Sequence, residues 1–278
     1  MTELFDRRIR VTVDTIEFTG LDAAFRIEKT LKPQPNTCEL TIWNLNEEHQ
    51  GQLEQLRPKE KQAIKGIPCR IEAGYVSGTS LLWLGDLRTV QTTREGPDWV
   101  TVLTSGDGEK AWKNARMHIG YGPKTSLDTA LRAIVRALGV GAGNLSKVVS
   151  KLKIAGASHY PSGAVLSGSA SRQLADFARS ADLEVSVQDG ALQFLDKGKA
   201  LSTTAVRLAP ETGLIGSPTV NNEGVLSAQC LIIPDIRVGG LITIDAARVK
   251  GTYRIEKATW NGDMSGQDWS IDLEAKRY

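Results

Sequence analysis

The chain is short of the residues that carry most recognisable chemistry. It holds three cysteines, Cys38, Cys69 and Cys230, far apart and without a CxxC pair, so their spacing signals neither a zinc site nor a dithiol redox centre. It holds three histidines, His49, His118 and His159, and no HExxH, GxSxG or HxE…CxxC pattern. No run of about 18 apolar residues occurs, so the pattern predicts no membrane-spanning helix and no membrane insertion. The opening stretch Met1 to Arg8 has no apolar core of signal-peptide length. Net charge is small too, because 34 Lys and Arg nearly balance 32 Asp and Glu. A net +2 over 278 residues gives no reason to expect tight binding to nucleic acid or to an acidic membrane surface.

What the chain does have is the composition of an ordinary globular protein, 41% apolar and 24% charged. That is enough to bury sizeable cores without disulfides or metal. Cys38 and Cys230 lie in alternating apolar segments and read as small core residues. One disulfide plus a free thiol is the alternative.

Period-two alternation dominates the first hundred residues: Ile9, Val11 and Val13; Phe25, Ile27 and Lys29; Cys38, Leu40 and Ile42; Cys69, Ile71 and Ala73; Val100 and Val102. One face of each segment is buried and one is wet, and many short strands favour antiparallel barrels or sandwiches. Asn46 to Leu56 reads as a short helix. After about residue 108 the period changes. Thr125-Ser126-Leu127-Asp128 looks like a capping sequence with Thr125 at the cap. Leu127, Ala130, Leu131, Ile134, Val135 and Leu138 then follow helical spacing to a stop at Gly139. Gly141 to Ser150 reads as a loop, and Ser171 to Ala181 as a second helix. Asp189-Gly190 between two alternating runs predicts a two-residue type I′ hairpin. From about residue 205 strands return. The expected fold class is mainly β with an α+β insert. It comprises two similar antiparallel tube-type β-barrels, residues 1–108 and 202–278, separated by a small α+β domain, residues 109–201.

The two β regions echo each other. In the first, Ile71 to Gly74 precedes a strand near Leu84 to Val90, then a turn and Asp98-Trp99-Val100-Thr101. In the second, Leu241 to Ala246 precedes Gly251 to Lys257, then a turn and Asp268-Trp269-Ser270-Ile271. The shared order suggests duplication, with a chance likeness of hairpins as the alternative.

A search for catalysis finds little. Gly122-Pro123-Lys124-Thr125 has part of a phosphate loop but lacks the glycine before the lysine, and reads as a helix-entry turn. His159 sits in a Gly/Ser-rich surface stretch without an orienting partner. Glu47 and Glu48 sit on a polar helix face, and nothing places two carboxylates across a cleft. Trp43, Trp83, Trp99, Trp112, Trp260 and Trp269 fall mostly in strands, where barrel core or subunit contact is the common use. No catalytic, cofactor-binding or metal-binding residue is assigned.

Four stretches carry a resemblance. They are Phe25 to Leu45, with Pro33, Pro35 and Asn36 in a turn and Asn44-Leu45 at a strand end; Leu84-Gly85-Asp86 leading to Asp98 to Thr101 and Gly106 to Gly108; Gly168 to Leu195, with its hairpin at Gly190; and Thr212 to Pro218 with Gly216, followed by Pro234, Gly239 and Gly251 to Ile255. Taken in order they cover nearly the whole chain, which resembles the baseplate hub proteins of Mu-like and related tailed phages. The resemblance implies a homotrimer whose six barrels continue the tail tube and dock a trimeric spike or tip, lining the channel through which phage DNA passes without specific binding. The implied partners are the chain itself, a tail tube or distal tail protein, a central spike or tip protein, and a tape measure protein as a further candidate. The implied location is the virion, after assembly in the bacterial host cytoplasm. With Tyr278 directly after the second barrel, no fused lytic or spike domain is expected. The competing readings are a tail-associated peptidoglycan hydrolase and a host-surface carbohydrate-binding module. Purified protein is expected to carry no stoichiometric metal and to clear no zone in a zymogram of host cell wall; one equivalent of metal, or a cleared zone, contradicts this.

Overall fold

The computed structural model describes residues 6–20, 22–56, 66–108, 112, 114–154 and 159–278. They form two units. One comprises Met1–Thr30, Asn36–Gly106 and Ala200–Tyr278, and the other Leu31–Pro35 and Asp107–Lys199.

In chain order the first unit opens with β1 (Arg7–Val13), β2 (Ile16–Thr19), β3 (Ala23–Thr30), β4 (Thr37–Trp43), α1 (Glu47–Gln55), β5 (Pro68–Tyr75), β6 (Gly78–Glu95) and β7 (Asp98–Gly106). The second unit contains β8 (Arg116–Tyr121), β9 (Thr125–Ser126), α2 (Leu127–Leu138), α3 (Leu145–Ile154), β10 (His159–Tyr160), β11 (Ala164–Ser169), α4 (Ala170–Ser180), β12 (Leu183–Gln188) and β13 (Ala191–Asp196). The chain then returns to the first unit with β14 (Ala205–Leu208), a 3₁₀ turn at Pro210–Thr212, β15 (Leu214–Val220), β16 (Val225–Leu231), β17 (Leu241–Asp245), β18 (Lys250–Asp263) and β19 (Trp269–Arg277).

The protein is mainly β, and its largest element is one 13-stranded sheet, antiparallel except between β14 and β17. The sheet contains the same strand order twice. The first half runs β1-β5-β6-β7-β4-β3, and the second runs β14-β17-β18-β19-β16-β15. In chain rank the two permutations are identical once the extra hairpin strand β2 is set aside. The register carries the likeness to single residues. With Trp99 set against Trp269, Arg88 and Glu256 are unpaired bulge residues at equivalent places. Leu87 and Thr89 face Ser105 and Thr104, just as Ile255 and Lys257 face Ala275 and Glu274. A bulge bends its strand and is a designed local feature, so its recurrence at one register position argues for duplication over chance. The two halves join where β18 pairs β3, from Lys257↔Thr30 to Asp263↔Ala24. Among the described residues the pairing path stays open, and neither half closes on itself through hydrogen bonds.

The core side of the junction is aromatic. Trp83 is fully buried and its indole N–H donates to Ser105 Oγ at 3.0 Å, while that hydroxyl donates to the Asp86 carbonyl at 3.0 Å. Lys29 is only 5% exposed, with Nζ 5.9 Å from the Trp83 ring centre in the first half and 5.7 Å from that of Trp260 in the second. Both lie within cation–π range. Arg7 adds a second tie. Its guanidinium donates to the carbonyls of Asp263 (2.5 Å), Gly266 (2.6 Å) and Gln267 (3.2 Å), and lies 5.3 Å from the Trp269 ring centre. The N-terminal strand thereby holds the C-terminal hairpin turn. Cys38, Cys69 and Cys230 are free and buried, as the core reading of Cys38 and Cys230 expected.

In the second unit, α2 and α4 pack with the β8–β11 and β12–β13 ribbons around Leu131, Ile134, Leu138, Leu174, Val187 and Phe194. Asp189 (φ 52°) and Gly190 (φ 76°) make the expected type I′ turn, with Gln188 facing Ala191. Gly139 ends α2 in the left-handed conformation. Two local expectations need correction. The α2 cap is Ser126, which accepts from the Thr129 N–H at 3.1 Å, because the Thr125 hydroxyl is used in donating to the Gly122 carbonyl. Gly141 to Ser150 is not all loop, since α3 begins at Leu145 and buries Leu145, Val148 and Val149. Gly141 and Gly143 had obscured that helical spacing.

Trp260→Ala empties the shared junction and is expected to cost about 3–5 kcal/mol in chemical denaturation. Trp99→Ala, at the equivalent hairpin but 44% exposed, is expected to cost the single chain under about 1 kcal/mol. Equal losses would contradict a stabilising role for the junction.

Candidate functional site

The residues picked out by resemblance hold turns, bulges and strand exchanges. Thr30 N–H donates to Asn36 Oδ1 at 2.9 Å, so the buried Asn36 side chain ties the end of β3 to the start of β4 across the Pro33–Pro35 loop. Two prolines suit that loop because its backbone donors have no ladder to join. Asn44 adopts φ 52°, which asparagine tolerates better than most residues. Its side chain then substitutes for strand backbone: Nδ2 donates to Asp98 Oδ1 at 2.9 Å and Oδ1 accepts from the Trp99 N–H at 3.0 Å. Leu45 turns into the core beside it. The aromatic-Asn-Leu and Asp-Trp motifs, 54 residues apart in sequence, are thus one hydrogen-bonded clasp.

Gly85 and Asp86 mark the point where β6 changes partner. Asp86 faces Pro68 of β5 and also Gly106 of β7. A Cβ at Gly85 would come within 2.6 Å of the Trp83 ring and 2.9 Å of the Gly106 carbonyl, so only glycine fits. Gly216 (φ 66°) sits in the irregular stretch of β15. Pro234 opens a β-turn closed by the Ile236 N–H on the Ile233 carbonyl at 3.2 Å. Gly251 (φ 140°) is the second β18 residue in the pairing with β17, facing Ile244 after Lys250 faces Asp245. Gly190, in the second unit, donates its N–H to the buried Asp107 carboxylate at 2.7 Å and accepts from the Gly141 N–H. Within the sheet unit these positions lie at separate turns and do not converge on one pocket.

Reactive groups are equally dispersed. Burial pushes the Cys69 and Cys230 thiols up to about 12 and raises Cys38 well above its ordinary value, so none is a thiolate near neutral pH. His118 Nδ1 and Ser167 Oγ lie 3.0 Å apart, but both are exposed on the β8–β11 ribbon. Arg207 bridges Glu211 at 2.7 Å and Asp245 at 2.8 Å. Glu211 is held below the usual carboxylate range by its own backbone N–H and by Arg207, and Asp245 by Arg207 and then Lys250. Among the described residues no group of three or more His, Cys, Asp or Glu is placed to hold a metal, and no helix is long and apolar enough to cross a membrane.

The extended surfaces are more telling. The wet face of β15-β16-β19-β18-β3-β4-β7-β6 is continuous across both halves. It carries small neutral groups, among them Thr41, Thr89, Gln91, Thr104, Ser227 and Gln229. Its charges include the carboxylates of Glu28, Glu39, Glu95, Asp98, Asp263, Asp272 and Glu274 against the cations of Arg26, Arg88, Arg254, Lys257 and Lys276. Asp272 is bound by neutral amides, Gln229 Nε2 at 2.9 Å and Asn261 Nδ2 at 2.8 Å. Part of the face is an open polar groove of about 530 Å³ over β15, β16, β18 and β19. The Thr212 to Pro218 motif shows no strand pattern in sequence, because Gly216 and Pro218 disguise the alternation of β15. At an edge, a proline's missing N–H removes no internal ladder bond.

Sequence comparison with curated proteins finds no significant match. Among solved structures, the 43 kDa tail protein of prophage MuSo2 from Shewanella oneidensis is similar over 97% of this chain and 98% of its own, at TM-score 0.63 and 10% identity. A tail protein from Neisseria meningitidis MC58 is similar over 98% and 97%, at TM-score 0.66 and 8% identity. The Escherichia coli c3393 protein is a type VI secretion component with structural similarity to the T4 tail proteins gp27 and gp5. It is similar over 96% of this chain and 76% of its own, at TM-score 0.57 and 8% identity. At such identities these likenesses establish a shared tail-protein fold. The family described as Baseplate hub gp41 matches residues 8–268, and the chain belongs to that family.

Proposed function

We propose that the chain is a structural, non-enzymatic subunit of a phage baseplate hub, and that three copies form a pseudo-six-fold ring. The ring joins the hexameric tail tube to a trimeric spike or tip. The observation that carries this reading is the strand order found twice in one chain, down to the position of a bulge. A chain with two equivalent sheet halves presents six similar units as a trimer. That is a physical way to match a six-fold object on one side and a three-fold object on the other. In this reading each half is the wall of one tube-type barrel, and residues 109–201 are the α+β insert between them in the chain. The partners are the tube or distal tail protein, the spike or tip, and the tape measure protein, and the location is the virion.

The wet face described above supports a passive conduit. A surface that held DNA would be basic, because phosphate contacts by Lys and Arg release counterions and dominate affinity. This one carries more carboxylates than cations, although the whole chain is +2. The hydrolase alternative needs a carboxylic acid held above its usual range. The described carboxylates with a resolved shift, Glu211 and Asp245, both move down.

Mass photometry of the purified chain across micromolar concentrations, or a particle map with the symmetry left free, is expected to count three copies per ring. A monomer at every concentration, together with two or six copies in the particle, overturns the reading.

A further inference from the structure

Duplication has a geometric consequence. Inside the chain, the distal part of β18 pairs β3, with Trp260 facing Ile27 and Asn261 facing Arg26. The register makes β6 the equivalent of β18 and β15 the equivalent of β3. Thr92 and Thr93 stand where Trp260 and Asn261 stand, and Val220 and Thr219 stand where Ile27 and Arg26 stand. Yet the equivalent ladder is not formed within the chain. Among the described residues, Gln91–Glu95 pair with β7 on one side and with no strand on the other, and β15 pairs only with β16.

Exposure marks both edges as incomplete. Ile27 is fully buried, whereas Val220 is 44% exposed at the matching core-side position. Trp269 is 4% exposed, with Phe25 of β3 in edge contact at 5.9 Å and Arg7 over its ring. Its equivalent Trp99 is 44% exposed, with Arg94 over its ring at 5.9 Å. What covers Trp269 comes from the other half: Phe25 of β3, Tyr75 of β5 at 6.3 Å and Arg7 of β1. Trp99 has the cation of its own hairpin, Arg94, where Gly262 stands beside Trp269, and it lacks the strand. An edge with an exposed tryptophan and valine is a liability for a lone chain and is normally covered.

We propose that Gln91–Glu95 of β6 pairs antiparallel with β15 of the next copy of this chain, repeating between chains the β18–β3 ladder that exists within one. This rests on the hub reading and adds to it the strands that close the ring. Thr92 faces Val220 of the next copy, Thr93 faces Thr219, and the Trp99 hairpin packs over the Pro218 side of the strand. The contact is head-to-tail, one surface of each copy against a different surface of the next, so it forms a ring when the rotation closes. Each joint then alternates: β18 with β3 inside a chain, β6 with β15 between chains. Gly216 and Pro218 make the pairing strongest at the Thr219–Val220 end and loosen it opposite Arg94 and Glu95, because the proline offers no N–H and the irregular stretch bends the strand away.

The test is a cysteine pair. Thr93→Cys with Thr219→Cys places two exposed thiols face to face only between copies, while the native cysteines are buried. Oxidation of the assembled full-length variant should give covalent multimers on a non-reducing gel, ending at the copy number of the ring. Arg26→Cys with Asn261→Cys is the matched pair within one chain and should close without raising the mass. A ring that forms by mass photometry, closes the internal pair and leaves Thr93→Cys and Thr219→Cys uncrosslinked overturns this pairing while the hub reading stands. A wild-type chain that forms no ring overturns the hub reading, and the pairing with it. As a second variant, Val220→Asp should weaken assembly by about tenfold or more with the melting of the single chain unchanged. Val76→Asp, at a valine 60% exposed in the β5–β6 turn, should assemble like the wild type. Full assembly of Val220→Asp overturns the proposal.

Discussion

The ladder between β3 and β18 is the contact on which the rest of the sheet unit depends. It joins a strand from the start of the chain to one near its end, with more than two hundred residues between them. Such a contact carries a loop-closure cost that local hairpins avoid, so it needs strong compensation. The compensation is concentrated at the junction. Trp260 and Ile27 are buried against each other, the Phe25 ring lies over Gly262, and the Lys29 ammonium sits between an indole from each half. A buried ammonium is costly unless it is well partnered, so the lysine adds specificity to what burial stabilises.

The glycines and bulges follow from the same constraint. A strand that must pair one neighbour along its first part and another along its second has to bend between them. In β6 the exchange occurs at Gly85-Asp86, just before the bulge at Arg88. In β18 it falls between Arg254 and Lys257, around the bulge at Glu256. A bulge supplies the bend by adding one unpaired residue and increasing the local twist. Gly85 is needed because its Cα approaches both the Trp83 ring and the Gly106 carbonyl. These positions are structural in the strict sense: each fixes where a strand changes partner.

The two halves share a strand order, although β14 joins β17 parallel where β1 joins β5 antiparallel, and their side chains differ where their environments differ. Trp269 is enclosed and Trp99 is open; Ile27 is enclosed and Val220 is open. The wet face is the exception, since small neutral groups and a surplus of carboxylates run across both halves. Such a face suits neither a dry subunit contact, which is depleted in charge, nor a phosphate-binding surface, which is basic.

Most of the local structure is legible in short stretches of neighbouring residues. Alternation placed the strands, Asp189-Gly190 placed a hairpin, Gly139 ended a helix, and the Gly-led and Asp-Trp strands disclosed the repeat. Those signals are local because side-chain period, turn chemistry and backbone freedom are properties of a few neighbouring residues. Gly216 and Pro218 hid β15 for the same reason, since its strand character comes from β16 and not from its own residues. Tertiary structure alone decided that Asn44 clasps Asp98 and Trp99, that Lys29 lies between Trp83 and Trp260, and that the two β regions share one sheet through β3 and β18. Residues from opposite ends of a chain carry no mark in their own spacing of which strand they will meet. That choice is made by the burial and hydrogen bonding that only the folded pair provides.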